Sequence, residues 1–112
     1  FYYTPFNILE IIGKLSRLRY DEERVRVGLA SIEEHFKQLC PTFEGYLKAL
    51  MLRMRGHRDL IDLLLYATSL TRGVYFLTRD QQLIRFLKEQ NERIDNIIYE
   101  RDLRRYVATK NT

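Results

Sequence analysis

Apolar and polar positions along the chain alternate between short strand-like runs and longer stretches with helical spacing. Phe1–Thr4 reads as a strand, and three consecutive aromatics read as the end of a buried one, so the expectation is that a further N-terminal segment belongs before Phe1. Thr4 caps a helix with Pro5 at its first position, where a missing amide proton is harmless. Ile8, Ile11, Ile12, Leu15 and Leu18 continue it. Asp21–Glu34 forms a second helix, with Val25, Leu29, Ile32 and Phe36 on one face, and Phe36–Cys40 a short edge strand ending at Pro41. Thr42 and Glu44 open a third helix carrying Phe43, Tyr46, Leu47, Leu50, Met51 and Met54. After a break at Arg55-Gly56-His57-Arg58 a helix restarts at Asp59, and its body, Leu60–Leu70, is apolar nearly all round, the mark of a buried helix. Gly73 ends it. Val74–Leu77 is the clearest strand, β-branched and aromatic, as if covered on both faces in a parallel sheet. Asp80–Gln90 is amphipathic, with Leu83, Ile84 and Leu87 inward, and Ile94–Tyr99 is a last, outer strand before a basic, polar tail from Glu100.

Strand–helix alternation of this kind predicts an α/β domain with a mainly parallel sheet flanked by helices, one domain over residues 1–112. Composition narrows the classes further. A charged fraction of 30% among apolar residues excludes a disordered chain, and the single cysteine, Cys40, excludes a disulfide framework and reads as a small buried residue. No apolar run approaches the roughly 20 residues that span a bilayer, so no membrane partner is expected and the cytoplasm is the expected compartment. The net charge is +4, and 14 of the 19 basic residues are arginines, suited to bidentate phosphate contacts. Along most of the chain, however, charge alternates in sign, as on an ordinary solvated surface.

The informative polar residues are acids in apolar surroundings. Glu10 lies between Leu9 and Ile11, Asp62 among Leu60, Ile61, Leu63, Leu64 and Leu65, and Asp80 just after the strand, where parallel sheets place their ligands. A buried carboxylate costs several kcal/mol unless it is paired or binds a cation. Each acid also has a local structural reading. Asp59 can cap its helix with Asp62 at the third position, Asp80, or Thr78 with Gln81, can cap the next helix, and Glu10 can pair with Lys14. As a set from separate elements, the three resemble a hard-cation site.

The run Asp59-Leu60-Ile61-Asp62-Leu63-Leu64-Leu65-Tyr66-Ala67-Thr68, followed by Phe76-Leu77-Thr78-Arg79-Asp80 with its second acid 18 residues after the first, resembles the second half of a PIN domain. Upstream, Thr4-Pro5-Phe6-Asn7-Ile8-Leu9-Glu10 looks like that family's Thr-Pro helix with its Glu. The resemblance covers Tyr3 to about Tyr99. It implies four acids at the carboxyl ends of the strands, Mg²⁺ or Mn²⁺ as cofactor, and phosphodiester hydrolysis, mostly of RNA. Glu10, Asp62 and Asp80 map to the second, third and fourth acids, with Asp59 and Thr78 as outer-shell partners. The family's first acid, an Asp on the opening central strand, has no counterpart here, so that strand is expected to be missing from this sequence.

The resulting expectation is a metal-dependent endoribonuclease. Its carboxylates would hold a cation that lowers the pKa of a bound water and stabilises charge on the phosphate. Arg55 and Arg58, with His57 beside them, form a basic rim for the phosphate backbone, and Arg79 either touches RNA phosphate or, equally, is a solvent-exposed surface residue. His35 is a surface residue, and Tyr66, Tyr75 and Phe76 belong to the core. Size suggests the toxin of a VapBC-type toxin–antitoxin pair, whose antitoxin protein would block the acidic cleft. A homodimer is the expected assembly, with the Phe43, Tyr46, Leu50, Met54 stripe as one place to look, although such a stripe more commonly faces the core. The competing reading is a non-catalytic PIN-like interaction module that has lost its chemistry. A receiver-type signalling domain fits less well, because its Asp pair and Lys on successive strands are not evident.

Overall fold

A computed structural model describes residues 1–102. Ten elements follow one another: β1 (Tyr2–Tyr3), α1 (Pro5–Leu15), α2 (Glu22–His35), β2 (Lys37–Gln38), α3 (Phe43–Met54), α4 (Leu60–Arg72), β3 (Phe76–Thr78), α5 (Gln81–Glu89), β4 (Ile97–Tyr99) and a 3-10 turn, Glu100–Asp102. The α/β class and the element order are those that the hydrophobic pattern predicts. Most of the basic tail expected from Glu100, residues 103–112, lies outside the described residues.

Helix starts follow short-range capping. Thr4 Oγ1 accepts from the amides of Phe6 and Asn7, and the Asn7 side chain closes a capping box back to the Thr4 amide. Asp21, Thr42, Asp59 and Asp80 cap α2, α3, α4 and α5. Gly73 ends α4 in the left-handed region, with φ 71°, a conformation that costs glycine nothing.

The hydrophobic core lies between α3, α4 and α5. It consists of Ala49 and Leu52, Leu63, Tyr66 and Ala67, and Leu83 and Leu87, all essentially without exposure. Burial of Leu83 and Leu87 holds α5 to α4 and is worth about 1.5–3 kcal/mol for each side chain. Tyr66 enters this core because its hydroxyl donates to the Arg93 carbonyl oxygen at 2.6 Å. Burial, with the nearby Glu92 charge second, pushes that phenol up to about 12. Gly45 lets α3 approach α4 closely, since a Cβ there would meet Thr71 Oγ1 at 3.1 Å and Pro41 Cβ at 3.2 Å. Neither α1 nor α2 contributes a buried side chain.

Several expectations are corrected. Instead of one continuous sheet there are two parallel pairs, β1–β2 in register Tyr2↔Lys37 and β3–β4 in register Phe76↔Ile97. The strand after α4 is not covered on both faces. Phe76 packs against the core, while Tyr75 and Leu77 are about half exposed, because the helices cover one side of β3 only. Tyr75 is therefore not a core residue. Cys40 is exposed: its carbonyl accepts from Arg72 Nε, and it is the neighbouring Pro41 that is buried. On α3 the large side chains Phe43, Tyr46, Leu47, Leu50 and Met54 face outward, from 50 to 80% exposed, while the small Gly45 and Ala49, with Leu52, face α4. Small residues permit the closer helix approach, which decides which of two apolar faces is covered.

Candidate metal centre

Three elements bring acids together. Asp59, the exposed N-cap of α4, accepts through Oδ1 from the Asp62 amide at 3.1 Å. That bond fixes the first turn and places Asp62 at its third position, favoured there by the helix dipole. Thr78 ends β3 and is only 7% exposed, and its Oγ1 accepts from the Asp80 amide at 3.1 Å. Asp80 in turn caps α5, its Oδ1 accepting from the amides of Gln82 (2.9 Å) and Leu83 (3.2 Å). Since Leu83 and Leu87 anchor α5 in the core, Asp80 is held rigidly at the carboxyl end of β3.

Electrostatics record how close these groups are. Asp62, half-buried on the flank of α4, has its carboxyl pushed up to about 7. Burial is the largest cause, followed by a hydrogen bond to Asp80 and then by the negative charges of Asp59, Asp80 and Glu10. Glu10 reaches this field from α1, which packs against α4. Among the described residues, no ion pair joins Glu10 to Lys14, so the local reading of Glu10 does not hold. The local readings of Asp59 and Asp80 do hold, since these residues cap α4 and α5, and Asp62 stands in the first turn of α4 without a capping bond from its own side chain; Asp62 and Asp80 converge as well.

One residue is placed differently from the sequence expectation. His57 does not stand in a basic rim. One of its ring nitrogens lies with carboxylate oxygens of Asp62 and Asp80 in a group whose atoms are all within 4.8 Å of one another. The loop Arg55–Arg58 turns back because Gly56 adopts φ 120° and because Arg53 Nη1 donates to the His57 carbonyl at 2.9 Å and to the Arg58 carbonyl. The His57 ring then rests on Phe86 of α5, with centroids 5.0 Å apart. Its spacing of five residues before Asp62, between a glycine and an N-cap, was the available signal.

The arginines fall outside this cluster. Arg55 and Arg58 are exposed on the loop beside it, and Arg79 is 85% exposed and pairs with Glu100. His35 is exposed at the end of α2, as expected. The donor set suits a divalent cation. Carboxylate oxygens dominate, and burial together with the neighbouring acids pushes the Asp62 carboxyl up to about 7, a cost of ionisation that a bound cation would relieve. Among the described residues, no helix is long and apolar enough to cross a membrane.

Compared with known proteins, residues 1–89 match a family model described as PIN domain. No curated protein and no solved structure matches the chain.

Proposed function

Because the chain belongs to the PIN domain family, a family of nuclease-like fold, we propose that it is a metal-dependent endoribonuclease whose cation is held by Glu10, Asp62 and Asp80. The observation that supports this most is the convergence of Asp62 and Asp80, whose carboxylate oxygens lie within 4.8 Å of each other, with Glu10 of α1 adding its charge to a site where burial first, and these neighbouring acids after it, push the Asp62 carboxyl up to about 7. Isolated caps need no such arrangement.

When bound, Mg²⁺ or Mn²⁺ would supply Lewis-acid stabilisation of the scissile phosphate and a lowered pKa for the attacking water. The chain's own residues prepare the site. Asp59 orients the first turn of α4, and Thr78 fixes the Asp80 backbone. Asp80 commits Oδ1 to α5 and leaves its second oxygen for a cation. Arg55 and Arg58, exposed beside the cluster, supply positive charge for the phosphate backbone of RNA. The reading includes a further strand, carrying the family's first acid, seated between the β1–β2 and β3–β4 pairs. The separation of the sheet into two pairs is in keeping with it. It also includes a homodimer through the exposed face of α3 and an antitoxin-type protein over the acidic cleft.

The test is cleavage of a mixed single-stranded RNA pool with Mn²⁺, with EDTA, and with Asp62→Asn. Cleavage that requires the metal and is lost in the variant supports the enzyme. RNA left intact by the wild type under every divalent cation tried favours a binding module instead.

A further inference from the structure

The acid cluster contains a group that a purely carboxylate site does not use. His57 Nε2 is shielded from solvent and has no hydrogen-bond partner among the described residues. A buried polar nitrogen without a partner costs on the order of 1–3 kcal/mol, so its placement calls for an account. Core filling does not provide one. The ring contacts Phe86 on its face, yet it is turned so that a nitrogen belongs to the group formed with the Asp62 and Asp80 carboxylates. An ion pair does not provide one either, since none joins His57 to either aspartate among the described residues. The three side chains come from the loop before α4, from α4 itself and from the start of α5, and each is held independently. Arg53 and Gly56 shape the loop, Asp59 sets the first turn of α4, and α5 amides hold Asp80.

We propose that His57 is a nitrogen ligand to the cation held by Asp62 and Asp80, giving this site a preference for Mn²⁺ over Mg²⁺. The inference rests on the metal-site reading above and adds a donor to it. Imidazole is a borderline ligand. Mg²⁺ prefers six oxygens and dehydrates reluctantly, whereas later divalent ions accept nitrogen readily. Contact with Phe86, tilted by 37° at 5.0 Å between centroids, restricts the orientation of the ring.

The proposal is tested by Mn²⁺ binding to the full chain, followed by electron spin resonance. Spin-echo modulation reports nitrogen bound directly to Mn²⁺ without any assay of cleavage, and ¹⁵N-histidine labelling identifies its source. The expected result is a histidine nitrogen coupling in the wild type that disappears in His57→Ala and in His57→Gln. Mn²⁺ affinity should fall by about tenfold or more, and Mg²⁺ affinity by much less. Circular dichroism of both variants checks that they fold. Mn²⁺ bound without nitrogen coupling, at an affinity unchanged in both variants, overturns the role of His57 and leaves the carboxylate site standing. A histidine nitrogen coupling that survives in both His57 variants places the ion on another histidine and overturns the proposal. No Mn²⁺ binding to the wild type overturns the metal-site reading together with it.

Discussion

A carboxylate oxygen of Asp62 and one of Asp80 lie within 4.8 Å of each other across the junction between α4 and α5, and each residue also belongs to the first turn or cap of its own helix. Asp80 caps α5 with Oδ1, and Asp62 occupies the third position of a turn capped by Asp59. Amides of α5 therefore hold the Asp80 carboxylate, while Asp59 fixes the turn of α4 from which the Asp62 side chain projects.

This double duty separates charge from capping in mutants. Asn caps a helix about as well as Asp. Asp80→Asn should therefore keep the fold and lose at least a hundredfold in Mn²⁺-dependent RNA cleavage, an order-of-magnitude expectation for removing a group that stabilises developing charge. Asp80→Ala should in addition lower stability by about 1 kcal/mol through the lost cap. Cleavage rates with urea midpoints for the two variants check this, and wild-type cleavage by Asp80→Asn would sink the assignment.

Stability should fall as pH rises. The Asp62 carboxyl titrates near 7 in the folded chain but near 3.8 when unfolded, so between those values the native state binds more protons. The Asp62 contribution to unfolding free energy then decreases from about pH 4 through pH 7 and levels off above. For a half-buried group the loss, discounted for solvent screening, is about 1 kcal/mol. Denaturant titrations in EDTA at pH 5 and pH 8 measure it. Asp62→Asn should abolish the Asp62 contribution, and saturating Mn²⁺ should reverse it, because a cation favours the ionised carboxylate.

Removal of Arg55 or Arg58 should weaken RNA binding and lower the slope of log affinity against log salt by up to about 1 for each residue. Arg79, paired with Glu100, should change less. Filter binding at several salt concentrations tests the ranking, and an unchanged slope in Arg55→Ala/Arg58→Ala removes both from the phosphate path.

Gly45→Ala is expected to destabilise despite the better helix propensity of alanine. Propensity favours the change by up to about 1 kcal/mol. The new methyl, however, meets Pro41 Cβ at 3.2 Å and a Thr71 hydroxyl already donating to the Ala67 carbonyl. Neither neighbour yields easily, and overpacking costs about 1–3 kcal/mol. A lowered melting temperature is the expected outcome, and a raised one shows that α3 can move.

Leu50→Glu on the outer face of α3 should convert a dimer to a monomer while leaving the core intact, since Leu50 is 54% exposed. Light scattering on the wild type and the variant settles it: a monomeric wild type rejects this interface.

Much of this fold was legible before any coordinates. Among the described residues, all five helices begin at a Thr or Asp whose side chain caps them, and capping acts within one turn, so sequence order alone determines it. The carboxylates could be picked out for a similar reason, because an acid inside an apolar run is costly wherever the run packs. Three other features depended on contacts between residues distant in the chain. Period 3.6 marks apolar faces on α3 but does not rank them, and only docking against α4, made close by Gly45 and Ala49, leaves Phe43, Tyr46, Leu50 and Met54 outside. The apolar composition of β3 indicates a strand but not how many of its faces find a partner. His57 reads as one more member of a basic loop until α5 brings Phe86 under its ring and Asp80 beside it. Local hydrogen bonding is written in neighbouring residues, whereas convergence at a site follows from which surfaces pack, and only the tertiary structure decides that.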